Sequence, residues 1–362
     1  MVKDQTRHVV ITIGFVAILM LFFLANIVKQ DQVISITERR KLAQFPEITL
    51  KTLTNGEVSK KIEDYTVDQF VIRDTFRGVK SFFSRNILRQ QDNNGLFEKN
   101  GAIYKMEYPL NEKNVNQSID KINEIYEKYL QGKKVYYAII PDKNYYLKED
   151  EHLKFDYNKI KQIALEKLKH MQYIDIWEDL ELKDYYTTDL HWRQENLQNV
   201  VKKIQVSMKN ENREEMPYIK TNMGKFYGTY YGQLAVHVKP DEMYILTNDI
   251  IENCKTYNYE KKEISTIYHN TNSKDKYDIY LSGPTPLIHI ENPKANEEKE
   301  LLIFRDSYGS SLAPLLVQNY RKITLIDLRY ISSTLLEDYI EFKNQDVLFL
   351  YSTLVLNQNV LK

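Results

Sequence analysis

The stretch Leu301-Leu302-Ile303-Phe304-Arg305-Asp306-Ser307-Tyr308-Gly309-Ser310-Ser311 combines a buried strand, a polar turn and the start of a helix. Its first four residues are apolar without alternation, which is typical of a strand covered on both faces of a sheet. Ser307 comes directly after this strand, and in open α/β sheets ligands gather at the carboxyl ends of the strands. The stretch therefore predicts a parallel α/β sheet with a polar site at Ser307.

The same alternation of short apolar strands with helices extends to both sides of this stretch. Strands are predicted at 134–140, 173–177, 300–305, 322–328 and 346–351. Helices are predicted at 115–130, 157–171, 192–208, 309–320 and 332–342, with two more within 57–90. An Asn100-Gly101 turn between two short apolar runs predicts a hairpin. The pattern indicates an α/β fold with a mainly parallel sheet and a strand-rich insertion at about 222–292.

The N-terminus carries an apolar run, Val9–Val28, that is long enough to span a membrane as one helix. Lys3 and Arg7 precede it, which favours a cytoplasmic N-terminus. The alternative is a cleaved signal peptide, but Phe23-Leu24-Ala25 is a poor cleavage site because Phe stands where a small residue is needed. We therefore predict an anchor at 1–30, a juxtamembrane stalk at 31–56 and an extracytoplasmic domain at 57–362.

Composition excludes several classes of protein. Lys+Arg and Asp+Glu both number 50, so the chain lacks the basic excess that is typical of nucleic-acid binders. The single cysteine, Cys254, allows no internal disulfide and no cysteine-based metal site. Glycine-rich nucleotide loops and the His-Glu-x-x-His zinc motif are absent from the sequence, so no cofactor and no metal are predicted. The 28 tyrosines suit a sugar-binding surface or reflect a biased composition.

A second polar segment, Thr187-Thr188-Asp189-Leu190-His191-Trp192, lies between a predicted strand and a predicted helix. In extended backbone, residues i and i+2 point to the same side, so Asp189 can reach the ring of His191. A carboxylate on one imidazole nitrogen fixes the tautomer and leaves the other nitrogen free as a base. The alternative is that Thr188 or Asp189 simply caps the helix that starts at Trp192.

Ser307 has the same two interpretations. The helix N-terminus and the turn could supply backbone N–H groups to an oxyanion, with Gly309 allowing close approach, or Asp306 and Ser307 could only cap the helix. A nucleophilic serine needs a base, and the base needs an orienting group. Among the seven histidines, His191 stands in an Asp-x-His pair that Trp192 follows directly. The fold would allow both segments to meet at one edge of the sheet.

The pairing of Asp189-Leu190-His191-Trp192 with a later strand–Asp306-Ser307-Tyr308–helix resembles the DHHW and alginate O-acetyltransferase-like families of the SGNH-hydrolase-like superfamily. Further segments resemble motifs of these families: Arg39–Pro46, Tyr65–Arg73, Pro141–Lys143, Ser282–Gly283, Asn292–Pro293 and Asp327–Tyr330. Leu190 departs from the pattern, since it replaces the first His of Asp-His-His-Trp. Arg305 departs as well, since it stands where a glycine usually precedes Asp-Ser.

The resemblance implies a three-layer α/β/α fold with Ser307 as nucleophile, His191 as base and Asp189 as its orienter. It also implies an arginine near the acyl group, either Arg329 or Arg305. Together with Tyr308 and Gly309, Arg329 would then form the oxyanion and substrate-binding groups.

The function implied is that of a membrane-anchored, extracytoplasmic O-acetyltransferase of an exopolysaccharide or cell-wall glycan. A membrane-bound O-acyltransferase partner would deliver the acyl group, and no cofactor would be needed. Two alternatives stay open: a carbohydrate acetylesterase with the same triad, and a non-catalytic glycan-binding assembly subunit.

Overall fold

The computed structural model describes residues 2–35, 37–38, 40–54, 56–147, 153–209, 216–236, 238–269, 273, 275–295 and 298–362. Arg39 of the motif Arg39–Pro46 lies outside the described residues. The chain divides into two compact units. Unit 1 comprises residues 1–94 and 231–237, and unit 2 comprises residues 95–230 and 238–362.

Unit 1 is mainly helical. Its elements up to residue 94 are α1 (Val2–Val28), β1 (Ile34–Ser35), β2 (Arg40–Lys41), α2 (Leu50–Thr54), α3 (Glu57–Asp68) and α4 (Arg73–Phe82). The two helices predicted within 57–90 are thus confirmed as α3 and α4, and α4 continues as a π-helical turn, Phe83–Ile87. Within α1, Thr6–Val28 is long and apolar enough to cross a membrane.

A buried carboxylate ties the segment after α1 to α3. Asp68 accepts hydrogen bonds from the guanidinium of Arg40, at 2.8 Å to Nη1, and from the backbone N–H of Ala43 at 2.9 Å. Arg73 adds a second cation, 3.4 Å from Asp68. Two arginines and a backbone donor compensate the burial of this charge and hold the pKa of Asp68 below its usual value, chiefly through the Arg40 hydrogen bond.

Unit 2 begins with the predicted hairpin and continues as an α/β fold. Asn100 and Gly101 both have positive φ, as a two-residue hairpin turn requires, so the hairpin is confirmed. The elements that begin in this unit are β3 (Leu96–Lys99), β4 (Ala102–Lys105), α5 (Glu112–Ile125), β5 (Val135–Ile140), α6 (Tyr157–Lys167), β6 (Gln172–Tyr173), α7 (Gln198–Ser207), β7 (Ile219–Phe226), α8 (Thr229–Leu234), β8 (Asp241–Thr247), α9 (Asp249–Asn253), β9 (Lys255–Asn258), β10 (Glu263–Ser265), β11 (Leu287–Glu291), β12 (Glu300–Arg305), α10 (Tyr308–Leu316), β13 (Lys322–Ile326), β14 (Asp346–Ser352) and α11 (Thr353–Gln358).

One eight-stranded sheet organises unit 2, in the order β10-β9-β11-β13-β12-β14-β5-β6. The five strands from β13 to β6 are parallel, and β11, β9 and β10 add an antiparallel edge. The predicted mainly parallel sheet is therefore confirmed. Much of the strand-rich stretch 222–292 joins this sheet through β9 to β11, whereas β7 and β8 pair only with each other.

The central strands are buried on both faces, as their unbroken apolar runs predicted. Every residue of β5 is buried, and β12 and β14 are buried except at their first residue. On the helical layers, α5 packs against α6 and α11, while α10 packs against α7. The result is the three-layer α/β/α fold that the resemblance implied.

Several predicted elements are shorter in the structure because tertiary contacts hold their ends in other conformations. The helix predicted from Trp192 begins at Gln198, after a 3₁₀ turn at Gln194–Asn196. Trp192 is instead fully buried, pairs with Tyr185 in an isolated bridge and donates its indole N–H to Ser311. The helix predicted at 332–342 is a 3₁₀ helix at 333–338, and the strand predicted at 173–177 is only β6.

Candidate active site

The carboxyl ends of three neighbouring parallel strands, β12, β14 and β5, form the floor of the site. Asp306, directly after β12, is buried and accepts from the backbone N–H of Ser352 at 2.8 Å through Oδ2. Its Oδ1 accepts from the N–H of Tyr308 at 3.0 Å. Asp306 thus joins the turn that carries Ser307 to the end of β14, and fixes where the Ser307 side chain stands.

Ser307 does not act as a side-chain helix cap, although it occupies the N-cap position of α10. Its hydroxyl makes no capping hydrogen bond. Instead, Ser307 Oγ lies 2.7 Å from Nε2 of His191. The interpretation that the Ser307 hydroxyl only caps the helix is therefore wrong. The hydroxyl is instead hydrogen-bonded to His191, a potential base.

Asp189 and His191 form the pair that the Asp-x-His spacing predicted. Asp189 Oδ1 lies 2.6 Å from Nδ1 of His191 and accepts from its backbone N–H at 3.0 Å. Oδ2 accepts from the N–H of Thr229 at 2.6 Å, and the side chain is fully buried. The α-helix that follows in the chain begins only at Gln198, so Asp189 does not cap the helix that the sequence predicted from Trp192. Asp189, His191 and Ser307 thus form one continuous hydrogen-bonded chain.

Asp241, the first residue of β8, stabilises the loop that carries Asp189. Its carboxylate accepts from both the backbone N–H and the hydroxyl of Thr187 and of Thr188, at 2.6–2.9 Å. It also pairs with the guanidinium of Arg193. Nothing in the sequence singled out Asp241, since it lies more than fifty residues from the loop.

Glycine is required at position 228, where the chain packs closely against the Asp189 loop. A Cβ placed on Gly228 would lie 2.3 Å from the carbonyl oxygen of Thr188 and 2.4 Å from Cβ of Asp189. These are rigid neighbours that cannot move aside cheaply. Gly228 thereby lets its own N–H reach Thr188 Oγ1 at 3.0 Å and brings Thr229 to the Asp189 carboxylate.

Tyr277 covers one face of the His191 ring, with ring centroids 3.9 Å apart and an interplanar angle of 12°. Its hydroxyl lies 2.9 Å from Ser311 Oγ on α10. Stacking of this kind restricts rotation of the imidazole and shields one face from water. Sequence reasoning missed Tyr277, because one tyrosine among 28 in a strand-rich stretch carries no distinguishing signal.

The predicted oxyanion donors are engaged within the turn. The N–H of Tyr308 donates to Asp306 Oδ1 and that of Gly309 to the Asp306 carbonyl at 3.1 Å. The Tyr308 hydroxyl donates to the carbonyl of Leu190 at 2.7 Å. Stabilisation of an oxyanion by these N–H groups stays a prediction, and it requires them to exchange their present partners for the ligand. Gly309 has a packing reason as well, since a Cβ there would lie 2.7 Å from Cβ of Arg305.

The two candidate arginines meet at Asp327 rather than at Ser307. Arg329 binds both oxygens of Asp327, at 2.9 and 2.7 Å, and Arg305 Nη1 lies 3.5 Å from Oδ2 of the same carboxylate. In the described part of the chain neither arginine is hydrogen-bonded to Ser307 or His191. The structure therefore brings Ser307, His191 and Asp189 together, and leaves Arg329 and Arg305 in a separate ion-pair cluster.

Lys143 is a buried cation beneath the Asp189 loop. Its ammonium donates to the carbonyl oxygens of Tyr186, Thr187 and Asp189, at 3.0, 3.3 and 2.8 Å. These acceptors use all three N–H bonds of the charged form. Burial nevertheless lowers the pKa of Lys143 to about 7, with the Asp189 carboxylate opposing the shift. The loop that orients His191 is thus held by a lysine that titrates near neutral pH.

Lys143→Met is expected to flatten the pH dependence of stability above pH 7. The unfolded chain keeps the lysine proton up to about pH 10.5, whereas the folded protein loses it from about pH 7. The unfolded state therefore binds more protons in this window, and the free energy of unfolding rises with pH, by at most about 1.4 kcal/mol per pH unit for one proton. Urea unfolding of the detergent-solubilised protein at pH 7, 8 and 9 measures this slope.

Lys202→Met, which removes an exposed lysine on α7, is the matched control and should leave the slope of the wild type unchanged. Equal slopes for Lys143→Met and the wild type would contradict the assignment of a proton release to Lys143.

The matching family covers the segment that holds this site. The sequence model of the family described as DHHW protein matches residues 156–326, which include Asp189, His191 and Ser307. A search of curated protein sequences finds no match.

Solved structures share the fold. A DHHW family protein from Eubacterium siraeum superposes with a TM-score of 0.61 at 19% identity, over 74% of this chain and 95% of that chain. PatB1 from Bacillus cereus superposes with a TM-score of 0.56 at 20% identity, over 75% and 99%. The O-acetyltransferase domain of AlgJ from Pseudomonas putida is a more distant likeness, with a TM-score of 0.45 at 11% identity over 74% and 93%. The family resemblance indicated by the motifs is thus confirmed: the DHHW model matches residues 156–326, and the solved DHHW family protein and PatB1 share the fold.

Proposed function

We propose that this protein is a membrane-anchored, extracytoplasmic O-acetyltransferase that acts on an exopolysaccharide or cell-wall glycan. The observation that carries the proposal is the position of His191, with Nδ1 on the Asp189 carboxylate and Nε2 on the Ser307 hydroxyl. The same order of groups activates serine in enzymes of unrelated fold. The resemblance to acetyltransferases supports the choice of acyl group and acceptor.

The proposed reaction has two steps. Ser307 Oγ attacks the carbonyl carbon of an acyl donor while Nε2 of His191 accepts the hydroxyl proton, and that proton then passes to the leaving group. A glycan hydroxyl next gives its proton to Nε2 and attacks the acyl-serine ester. Ser307 regains its proton as the ester bond breaks. Asp189 keeps the proton on Nδ1 throughout, so that Nε2 can accept.

Anchoring to the membrane supports transfer rather than hydrolysis. Outside the cytoplasm an activated acyl group has to be carried across the membrane, and an anchored enzyme would meet it there. We propose that a multi-spanning membrane-bound O-acyltransferase is the partner that hands the group over. Contacts of α1 with the rest of unit 1 support an anchor that is retained: Asn26 Oδ1 accepts from the N–H of Val71 at 2.8 Å.

The products that the protein forms from an acyl donor distinguish an acetyltransferase from an acetylesterase and from a glycan-binding subunit. We would incubate the detergent-solubilised protein with p-nitrophenyl acetate and oligosaccharides of amino sugars and of uronic acids, and follow nitrophenol and acetylated sugar by mass spectrometry. Acetylated sugar is expected. Nitrophenol release with acetate as the only other product, for every acceptor, would favour the acetylesterase. Background-level signals throughout would favour the glycan-binding subunit.

A further inference from the structure

Helix α4 and its π-helical extension expose a long apolar face. Most of its large side chains recur three or four residues apart, and each of them is between 45% and 64% exposed. They are Ile72, Phe76, Val79, Phe82, Phe83, Ile87 and Leu88. Soluble helices instead bury their apolar stripe against the core. An exposed apolar face of this length is typical of a site that contacts a membrane or another protein.

The polar face of the same helix is the one turned inward. The guanidinium of Arg77 donates to the carbonyl oxygens of Gly232 and Gln233 at 3.0 and 2.8 Å. Ser81 is 2% exposed and donates to the carbonyl of Leu234. All of these groups belong to unit 1. A water-soluble helix covers its apolar face and exposes its polar face, whereas α4 has the reverse arrangement. Its apolar face is exposed because its polar face makes the contacts within unit 1.

The start of this helix contacts α1 at a level within the apolar span. The Phe22 ring stacks on Phe70, with centroids 5.7 Å apart, and meets Phe76 edge-on at 6.0 Å. Phe22 lies six residues before Val28, where the apolar window ends. At 1.5 Å per residue, Phe22 stands about 9 Å below the end of the span. If α1 crosses the membrane, Phe76 lies at the depth of the acyl chains.

We propose that α4 with Phe83–Ile87 lies in the outer leaflet of the membrane, with its apolar face among lipid acyl chains. The protein would then be held by two elements, one helix that spans and one that lies in the interface. Lys80 flanks the apolar stripe, and a long lysine stem lets the ammonium reach the phosphate level. The inference rests on the proposed membrane anchor.

Lipid is favoured over a protein partner by continuity. The exposed face includes Phe76, whose ring meets Phe22 of α1 edge-on, so this face continues directly onto the proposed membrane-spanning helix. A second protein would have to cover both elements at once.

Depth-dependent quenching in reconstituted vesicles tests the proposal. The full chain would be reconstituted alone into phosphatidylcholine–phosphatidylglycerol vesicles, with one cysteine added at a time by Phe83→Cys, Asp74→Cys or Leu19→Cys and labelled with a nitrobenzoxadiazole dye. The buried Cys254 serves as the labelling background in the unsubstituted protein. Asp74 is the matched control, on the same helix but away from the apolar stripe and 57% exposed in its side chain. Leu19 reports on α1.

The label at position 83 is expected to emit at shorter wavelength and to be quenched by lipids that carry a nitroxide on the acyl chain. The label at position 74 should be quenched by aqueous iodide. Lipid quenching at 19 together with iodide quenching at 83 would overturn the inference and leave the anchor standing. Iodide quenching at both 19 and 83 would mean that the anchor itself fails. Protection of position 83 only in native membranes would also overturn the lipid assignment, in favour of a protein partner.

Discussion

Ser307→Ala is expected to lower the rate of acyl transfer and of p-nitrophenyl acetate hydrolysis by about a thousandfold or more. The substitution removes the one hydroxyl that lies 2.7 Å from Nε2 of His191 and stands at the mouth of the buried Asp189–His191 pair. Without it no acyl-serine ester can form, and what remains comes from binding and from water activated by the histidine. Initial rates with the ester and intact-protein mass spectrometry, which detects the acylated serine as an added 42 Da, measure both effects.

Ser310→Ala is the matched control, because it removes the same group from the same helix, three residues along and buried. It should keep the rate within a few-fold of the wild type. Ester hydrolysis in Ser307→Ala comparable to that of Ser310→Ala, or an acetyl group mapped to another residue, would assign the nucleophile elsewhere.

Asp189→Asn is expected to lower the same rates by about ten-thousandfold, the loss seen when the orienting carboxylate of a serine triad becomes an amide. The side chain keeps its size and its acceptor for the N–H of Thr229. Its amide can now donate to Nδ1 of His191, which places the ring proton on Nε2 and removes the acceptor for Ser307. The rate of p-nitrophenyl acetate hydrolysis, with circular dichroism melting to verify the fold, checks this result.

Asp184→Asn provides the comparison, since Asp184 is a second buried carboxylate near the loop and accepts from the N–H of Glu181 at 2.7 Å, away from His191. It is expected to leave the rate within a few-fold of the wild type. A rate for Asp189→Asn within tenfold of that of Asp184→Asn would show that Asp189 serves only to hold the loop.

Local patterns sufficed for the parts of the site that depend on near neighbours. The apolar run before Ser307 is buried whichever strand lies beside it, so strand, turn and helix followed from the sequence. Asp189 and His191 are two residues apart, and that spacing alone brings carboxylate and ring together. The prediction of a helix from Trp192 was wrong. Helical periodicity does not reveal that the indole of Trp192 is buried and donates a hydrogen bond to Ser311.

The sequence by itself thus determined the α/β class, the apolar N-terminal helix and the three side chains that can form a serine site, because each rests on spacing within a few residues. Only the tertiary structure decided what holds them: Lys143, Asp241 and Tyr277 reach the site from 46 to 86 residues away through hydrogen bonds and stacking that no local pattern encodes. It also decided that α4 turns its polar face inward. Apolar and polar side chains recur at the same spacing along an amphipathic helix, so the spacing does not tell which face is covered. The contacts of Arg77 and Ser81 show that the polar face is covered.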